Sequence, residues 1–233
     1  RPYIASGYKG NAPTLTDLQA EIKKQPEPEA QELALAAELF ISGSLSIFAQ
    51  KTNVDQNNRL TSYNILDLGE QLLPMGMLVI LESIYNRVIQ NWRSGRRTWV
   101  FVDEFSIFFR YPFATNFFLR MWKQVRKRAG YMTGITQNVG EMLTSKDACW
   151  MLANSEFLIM LSQSASDRAA LAELLNISDT QLSYVENADP GCGLMKFGGA
   201  FIPFVNSFPE DTELYKLMTT KPADREQVKP HGV

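Results

Sequence analysis

The positions of hydrophobic and polar residues divide the chain into two parts. In residues 1–60, apolar residues recur three and four positions apart, which predicts amphipathic helices. One helix is expected from Asp17 onward with Thr16 as its N-cap, and a second follows two prolines and ends near Gly43. We therefore expect a small helical subdomain over residues 1–60.

From residue 61 the pattern changes, and short apolar runs alternate with longer stretches of helical periodicity. Strands are predicted in "SYNILDL", "TWVFVD", "YMTGIT" and "EFLIML". Helices are predicted over residues 72–92 and in "TNFFLRMWKQVRKRAG", closed by Gly130, "KDACWMLAN" and "SDRAALAELLN". Such alternation is typical of an α/β fold in which helices flank a mainly parallel sheet.

The last apolar segment, "GLMKFGGAFIPFV", has a different pattern. It predicts a C-terminal β-hairpin that turns at Gly198 and Gly199. A glycine-rich phosphate loop is the alternative, because Gly191 and Gly193 lie close by in the sequence. No Gly-Lys-Ser or Gly-Lys-Thr accompanies these glycines, which favours the hairpin.

Composition and charge exclude several classes of function. With 23 basic and 25 acidic residues the net charge is -2, so the chain as a whole lacks the basic character of a nucleic-acid-binding protein, although local contacts stay possible. Cys149 and Cys192 form no metal or disulfide pattern, which fits a reducing cytosol. The single histidine, His231, lies near the C-terminus, which argues against Ser-His-Asp hydrolysis and histidine metal sites. The longest apolar run, Leu72–Leu81, is too short to cross a bilayer, so no transmembrane segment is expected.

Two adjacent carboxylates, Asp103 and Glu104, end the apolar run Trp99–Val102. Ligands of open α/β sheets bind at the carboxyl ends of the strands. There, one carboxylate can hold the shell of Mg²⁺ and the other can orient or deprotonate an attacking water, as in the Walker B pattern of P-loop ATPases. The alternative is that the strand simply ends in solvent, where acidic residues are common.

Gln137 ends the next predicted strand, within the polar cluster Thr136–Asn138. If this strand neighbours the one that ends at Asp103, its tip reaches the same crevice. An amide there can hydrogen-bond a γ-phosphate and a water together. An amide that caps or lines the following turn is the alternative.

A basic cluster over residues 123–128 precedes the strand of Gln137. On a helix of 100° per residue, Lys127 falls opposite the apolar stripe and Arg126 falls beside it, near the buried edge. An arginine held there can point across a subunit boundary as an arginine finger. Arginines at such edges also merely extend along apolar surface, which is the alternative.

Five blocks of the sequence together resemble the conjugative-transfer ATPases of type IV secretion systems, of the VirB-four, TraE or TrsE type. The blocks are "TWVFVDEF", "MWKQVRKRAGYMTGITQNVGEML", "LANSEFLIMLSQSASDRAALAELLNIS", "GCGLMKFGGAFIPF" and "LYKLMTTKP". The resemblance runs from about Pro13 to Pro222, and the order of the blocks is specific.

This resemblance implies a RecA-like domain of the FtsK/HerA-related P-loop class that works as an oligomer, often a hexamer. Asp103 and Glu104 match the Walker B acids of the family, with Asp103 as the metal ligand and Glu104 as the catalytic base. Gln137 matches the glutamine at the strand tip, and Arg126 matches the basic motif that reaches the neighbouring subunit's nucleotide. ATP and Mg²⁺ are the implied cofactors of the parent protein.

Arg168 matches a further polar block of the family, in "SQSASDRAAL", and is expected at the nucleotide together with Asp103. Pairing of Arg168 with Asp167 on one helix is the alternative.

The sequence departs from the family in one respect, because the 233 residues contain no G-x-x-x-x-G-K-[ST] motif. In the family this phosphate-binding loop lies upstream of the helical segment. We therefore expect the C-terminal part of an ATPase domain that is inactive alone, with a helical subdomain over 1–60, a partial core over 61–222 and a tail over 223–233.

The function implied for the parent is ATP hydrolysis that powers assembly of, or transport through, a conjugative type IV secretion system. The expected partners are further copies of the same chain and membrane components of the apparatus, at the cytoplasmic face of the membrane. A DNA-pumping translocase of the coupling-protein class is one alternative function. A non-catalytic interaction module, in which the acids are surface residues, is another.

Overall fold

The computed structural model describes residues 11–43, 45–51, 58–137 and 139–219, together with Ile4, Gly7 and Lys9. The predicted tail over 223–233 and His231 therefore lie outside the described residues. The chain folds into two units, residues 1–77 and 78–233. The boundary predicted near residue 60 stays a prediction.

The first unit contains the two helices predicted there. They are α1 (Leu15–Ile22) and α2 (Pro28–Ile41), and Gln19 on α1 donates a 2.8 Å hydrogen bond to the carbonyl oxygen of Ala34 on α2. The N-cap of α1 is Thr14, so the prediction of Thr16 is wrong. Thr14 precedes Asp17 by three residues, which allows the reciprocal hydrogen bonds of a capping box.

The strand predicted in "SYNILDL" is wrong. Residues 66–68 form a 3₁₀ turn, and Gly69, with a φ of 64°, joins that turn to the next helix. A short apolar run fits a single helical turn as well as a strand, so periodicity alone does not separate the two.

The long helix predicted over 72–92 is confirmed as α3 (Gly69–Arg93). Its length and mean hydropathy of 1.4 would allow it to cross a membrane, a test that the core helix of a soluble protein also passes. Within the most apolar 18-residue stretch of this helix, 22% is buried inside the protein. The expectation of no transmembrane segment stays a prediction.

Strands β1 (Thr98–Val102) and β2 (Gly130–Gly134) pair in parallel, with Val102 opposite Gly134. One face of this pair carries Val100 and Val102, which are both 8% exposed, whereas Trp99 and Phe101 on the other face are 60% and 67% exposed. Helix α4 (Pro112–Gln124) follows β1 and buries the aromatic and methionine side chains of its apolar stripe.

The α-helical part of α4 ends earlier than predicted. Residues Val125–Arg128 form a 3₁₀ turn, and Ala129, with a φ of 49°, ends it, so closure of the α-helix at Gly130 is wrong. Gly130 is instead the first residue of β2 and contacts Val125 so closely that a side chain there would collide with it.

The remaining strands form a separate antiparallel sheet in the order β3-β4-β5, and the C-terminal hairpin is confirmed. These strands are β3 (Phe157–Met160), β4 (Cys192–Phe197) and β5 (Ala200–Val205). The other helices of this unit are α5 (Val139–Leu143), α6 (Lys146–Ala153), α7 (Ala165–Leu175), α8 (Asp179–Leu182) and α9 (Glu213–Met218).

The prediction of a mainly parallel sheet is therefore met only by β1 and β2 among the described strands. Alternation of helices and strands does not determine strand direction, and here β3 joins the hairpin as its third strand. A core formed by Met160, Leu171, Val185 and Leu194 lies under this antiparallel sheet.

Candidate functional site

The candidate site lies at the carboxyl end of β1. Asp103 is exposed, and its Oδ1 accepts a 3.0 Å hydrogen bond from the backbone N–H of Glu104. Glu104 has the left-handed backbone angles φ 47° and ψ 47°. This conformation costs a non-glycine residue roughly 1–2 kcal/mol. It turns the chain sharply from β1 into the 3₁₀ turn Phe105–Arg110 and leaves the Glu104 side chain partly exposed.

Gln137 reaches the same edge of the sheet. Its Nε2 donates a 2.8 Å hydrogen bond to Oε1 of Glu104, although 33 residues separate the two in sequence. The parallel pairing continues past both strands, because Ile135 N–H donates to the Val102 carbonyl and Phe105 N–H donates to the Ile135 carbonyl, each over 2.8 Å. The structure thus brings Glu104 and Gln137 together, as adjacency of their strands predicts. Their catalytic roles stay predictions.

Phe105 anchors the turn that carries Glu104. The ring is 2% exposed, lies 5.5 Å from the Trp122 ring in a stacked arrangement and 4.9 Å from the Phe118 ring in an edge-to-face arrangement. Both partners belong to α4. Because the residue next to Glu104 is held by this aromatic cluster, the position of the carboxylate is set by the core of the unit.

A second contact joins the two loops of the site, and nothing in the sequence pattern pointed to it. Arg110, at the end of the turn after Glu104, donates from Nε over 2.7 Å and from Nη2 over 2.6 Å to Oε1 of Glu141. Glu141 lies on α5, the helix that follows Gln137. The two side chains are 62% and 34% exposed, so the ion pair contributes little to stability but restrains the two loops relative to each other.

The residues at this edge fit a magnesium ion that is held partly by phosphates and waters. In the described part of the chain, no three His, Cys, Asp or Glu side chains are grouped to hold a metal ion. Mg²⁺ is often held by one or two carboxylates together with substrate phosphates and waters. The exposed carboxylate of Asp103 fits that need.

Arg126 does not lie at this edge. It precedes β2, so it sits at the amino end of the strand pair, about 13 Å from the carboxyl end for strands of this length. Its side chain is exposed, which makes the predicted partial burial wrong. The projection at 100° per residue does not apply, because the chain leaves the α-helix at Gln124. The exposed Lys127 agrees with its prediction.

Arg168 is held by neighbours other than the one predicted. On α7, its Nη2 donates over 2.7 Å to Oε1 of Glu186, and its Nη1 donates over 3.2 Å to the carbonyl oxygen of Gln163. Pairing with Asp167 is therefore wrong, because the side chain turns towards the segment after α8. The guanidinium ties three parts of the second unit together and contacts neither Asp103 nor Gln137.

Comparison with known proteins identifies a solved structure with a similar fold. No protein-family model matches the chain, and no curated protein sequence matches it. Among solved structures, the fold is similar to that of VirB4 of Thermoanaerobacter pseudethanolicus, with a TM-score of 0.71 and 23% sequence identity over 90% of this chain. The chain spans 62% of the length of that structure. The resemblance found in the sequence is thus confirmed at the level of the fold.

Proposed function

We propose that the chain is the hydrolytic part of an ATPase that serves a type IV secretion system. The observation that carries this proposal is the hydrogen-bonded pair of Glu104 and Gln137 at the carboxyl edge of a parallel strand pair. A fold similar to that of VirB4 supports it. Adjacent carboxylate and amide groups at such an edge suit the activation of water beside a phosphate.

In this proposal the residues at the edge have separate roles. Asp103 would hold Mg²⁺, and the ion would supply positive charge beside the ATP phosphates. Glu104 accepts a proton from the attacking water. Gln137 hydrogen-bonds both the water and Glu104, so its amide orients the base and responds to loss of the γ-phosphate.

The phosphate-binding loop would come from a further part of the parent protein, because the 233 residues contain no Walker A motif. The exposed apolar face of the β1–β2 pair supports the proposal that this chain contains only part of a RecA-like core. Trp99, Phe101 and Tyr131 are 60%, 67% and 41% exposed on that face, which is apolar enough to lie under another layer. This chain alone would then lack the donors that grip a triphosphate.

We further propose that the parent works as a ring, often a hexamer, at the cytoplasmic face of the membrane beside components of a conjugation apparatus. Arg126 supports assembly, because it lies at the edge opposite Glu104 within one chain. It can therefore act only on the nucleotide of a neighbouring copy. Its exposed guanidinium is available for that contact.

The test compares this chain with the full-length parent. Calorimetry of this chain with MgATP is expected to show millimolar affinity or none, whereas the parent hydrolyses ATP and loses turnover with Glu104→Gln. Micromolar binding of ATP to this chain would place the phosphate site elsewhere. Full turnover by the Glu104→Gln parent would overturn the proposed base.

A further inference from the structure

Positive charge is concentrated at the amino end of the β1–β2 pair, on the edge opposite Asp103. Residues 83–140 hold ten of the 23 basic residues of the chain and two of its 25 acidic residues. Six of the ten surround the starts of β1 and β2 and are named here the amino-edge cations: Arg93, Arg96, Arg97, Arg126, Lys127 and Arg128.

The backbone holds the two segments that carry the amino-edge cations side by side. Thr98 N–H donates over 3.1 Å to the carbonyl oxygen of Ala129, and Asn91 donates over 2.9 Å to the Thr98 hydroxyl. The Arg128 guanidinium lies 5.6 Å from the centre of the Tyr85 ring on α3. The six residues therefore lie on two backbone segments that are held together at the starts of paired strands.

No acidic side chain neutralises this surface within the described residues. The ion pairs of the described residues involve other side chains, such as Arg110 with Glu141 and Arg168 with Glu186. All six except the half-buried Arg128 are exposed. Mutual repulsion of six adjacent cations disfavours folding, so an arrangement without carboxylates is best explained by an external polyanion.

We propose that the amino-edge cations bind the phosphate backbone of a nucleic acid strand. Five of the six are arginines, whose planar guanidinium matches phosphate oxygens in pairs. Trp92, 48% exposed beside Arg93, offers a ring on which a base can stack. The site does not depend on the hydrolytic role proposed for Glu104. Arg126 has a separate proposed role at the nucleotide of a neighbouring copy, so the test changes only Arg93, Arg96 and Arg97.

A membrane surface fits the same charge less well. Binding in the plane of a bilayer requires apolar side chains that insert beside the cations. The exposed aliphatic residues of α3, Leu78 and Val79, lie about 21 Å from Arg93 at the helical rise per residue. Charge and exposed aliphatic surface are therefore separate on this helix.

The experiment measures fluorescence anisotropy of a labelled oligothymidylate of about 16 nucleotides over a series of KCl concentrations. Arg96→Gln with Arg97→Gln removes two exposed charges, and Arg93→Gln is a second, single variant. The matched control is Arg59→Gln with Lys216→Gln, which changes net charge equally at exposed positions elsewhere. Thermal unfolding of each variant confirms that it is folded.

We expect binding of the unmodified chain to weaken as salt rises. The Arg96→Gln/Arg97→Gln variant should have a slope of log K against log salt shallower by about 1.4, and Arg93→Gln by about 0.7, since each phosphate contact contributes about 0.7 for a single strand. The control should keep the original slope.

Absence of salt-dependent binding, or equal losses in the edge and control variants, would overturn the proposal. A second measurement tests binding of the chain and its variants to vesicles of phosphatidylserine and phosphatidylcholine. Binding to vesicles that is lost in the edge variants, with no binding to the oligonucleotide, would overturn it in favour of a membrane surface.

Discussion

A Cβ atom added to Gly134 would lie 2.5 Å from Cδ1 of Phe105. Gly134 ends β2, and Phe105 follows Glu104 at the end of β1. The Phe105 ring can pack against the end of β2 only because Gly134 has no side chain. Phe105 also packs against the rings of Phe118 and Trp122, which restrict its movement away from Gly134.

We therefore expect Gly134→Ala to destabilise the chain by about 1–3 kcal/mol, the usual cost of overpacking a core. Urea unfolding measures this change. Gly199→Ala is the control, because nothing lies within 4 Å of a Cβ atom there. Equal stability of the two variants would mean that the Phe105 ring is free to shift.

Glu104→Gln in the full-length parent is expected to lower ATP turnover by about 10²–10⁴-fold while nucleotide binding persists, because only the proposed proton acceptor is removed. Steady-state hydrolysis and equilibrium binding of a labelled nucleotide separate the two effects. Glu173→Gln, at an exposed carboxylate of α7, is the control and should keep both.

The hydrogen bond between Glu104 and Gln137 adds a stricter test. In the proposed mechanism the two side chains act as one unit, so Gln137→Ala combined with Glu104→Gln should cost little more turnover than Glu104→Gln alone. Additive losses in this double-mutant cycle would contradict a shared role.

Arg126→Ala should lower turnover of the assembled parent by about 10³-fold, the scale of an arginine finger that acts on a neighbour. Lys127→Ala, at the adjacent exposed residue, should have little effect. Mixing Arg126→Ala subunits with Glu104→Gln subunits should restore part of the activity, since some interfaces then contain both groups. Lack of recovery at every mixing ratio would rule against action between subunits.

Arg168→Ala should lower the free energy of unfolding by about 1.5–3 kcal/mol, the range for hydrogen bonds to charged groups. The reason is that Glu186 and the Gln163 carbonyl lose their common donor. Chemical denaturation of this chain measures the loss, with Lys146→Ala at an exposed position as control. An Arg168→Ala parent of unchanged stability but weaker ATP binding would instead support a nucleotide contact.

Stability of the first unit should depend on pH through Glu38. Hydrogen bonds from Gln19, Ser42 and Lys23 lower the pKa of this carboxyl from 4.5 to about 2. A folded-state pKa below the unfolded one means that the stabilisation is complete above pH 4.5 and is lost as pH falls from 4.5 to about 2.

Denaturation of wild type and Glu38→Gln at several pH values checks this prediction. The difference in stability between the two proteins should shrink steadily as the pH is lowered through that window. A difference that is independent of pH would show that Glu38 does not contribute through its charge.

The sequence predicted those features that depend on local periodicity. Helix α3, strand β1 and the hairpin at Gly198 appear where the apolar pattern places them. The two sides of the site were also predictable, because polar residues that end adjacent parallel strands must meet at one edge.

Features set by distant contacts could not be predicted. The direction of β3 depends on its pairing with β4, some 35 residues later. The exposure of Arg126 depends on the point at which α4 ends and a 3₁₀ turn begins. A helical projection at 100° per residue assumes that the α-helix continues, so it does not predict this change. The ion pair between Arg110 and Glu141 joins long exposed side chains that carry no periodic signal.

The left-handed backbone at Glu104 has a consequence for the engineering of this protein. Glycine adopts these angles without steric cost, so Glu104→Gly relieves strain at the very position where the proposed base is required. Thermal tolerance and turnover therefore oppose each other at this residue. In the full-length parent, a screen that selects variants only for heat resistance would favour glycine there, whereas a screen for the proposed ATP hydrolysis would retain the strained glutamate.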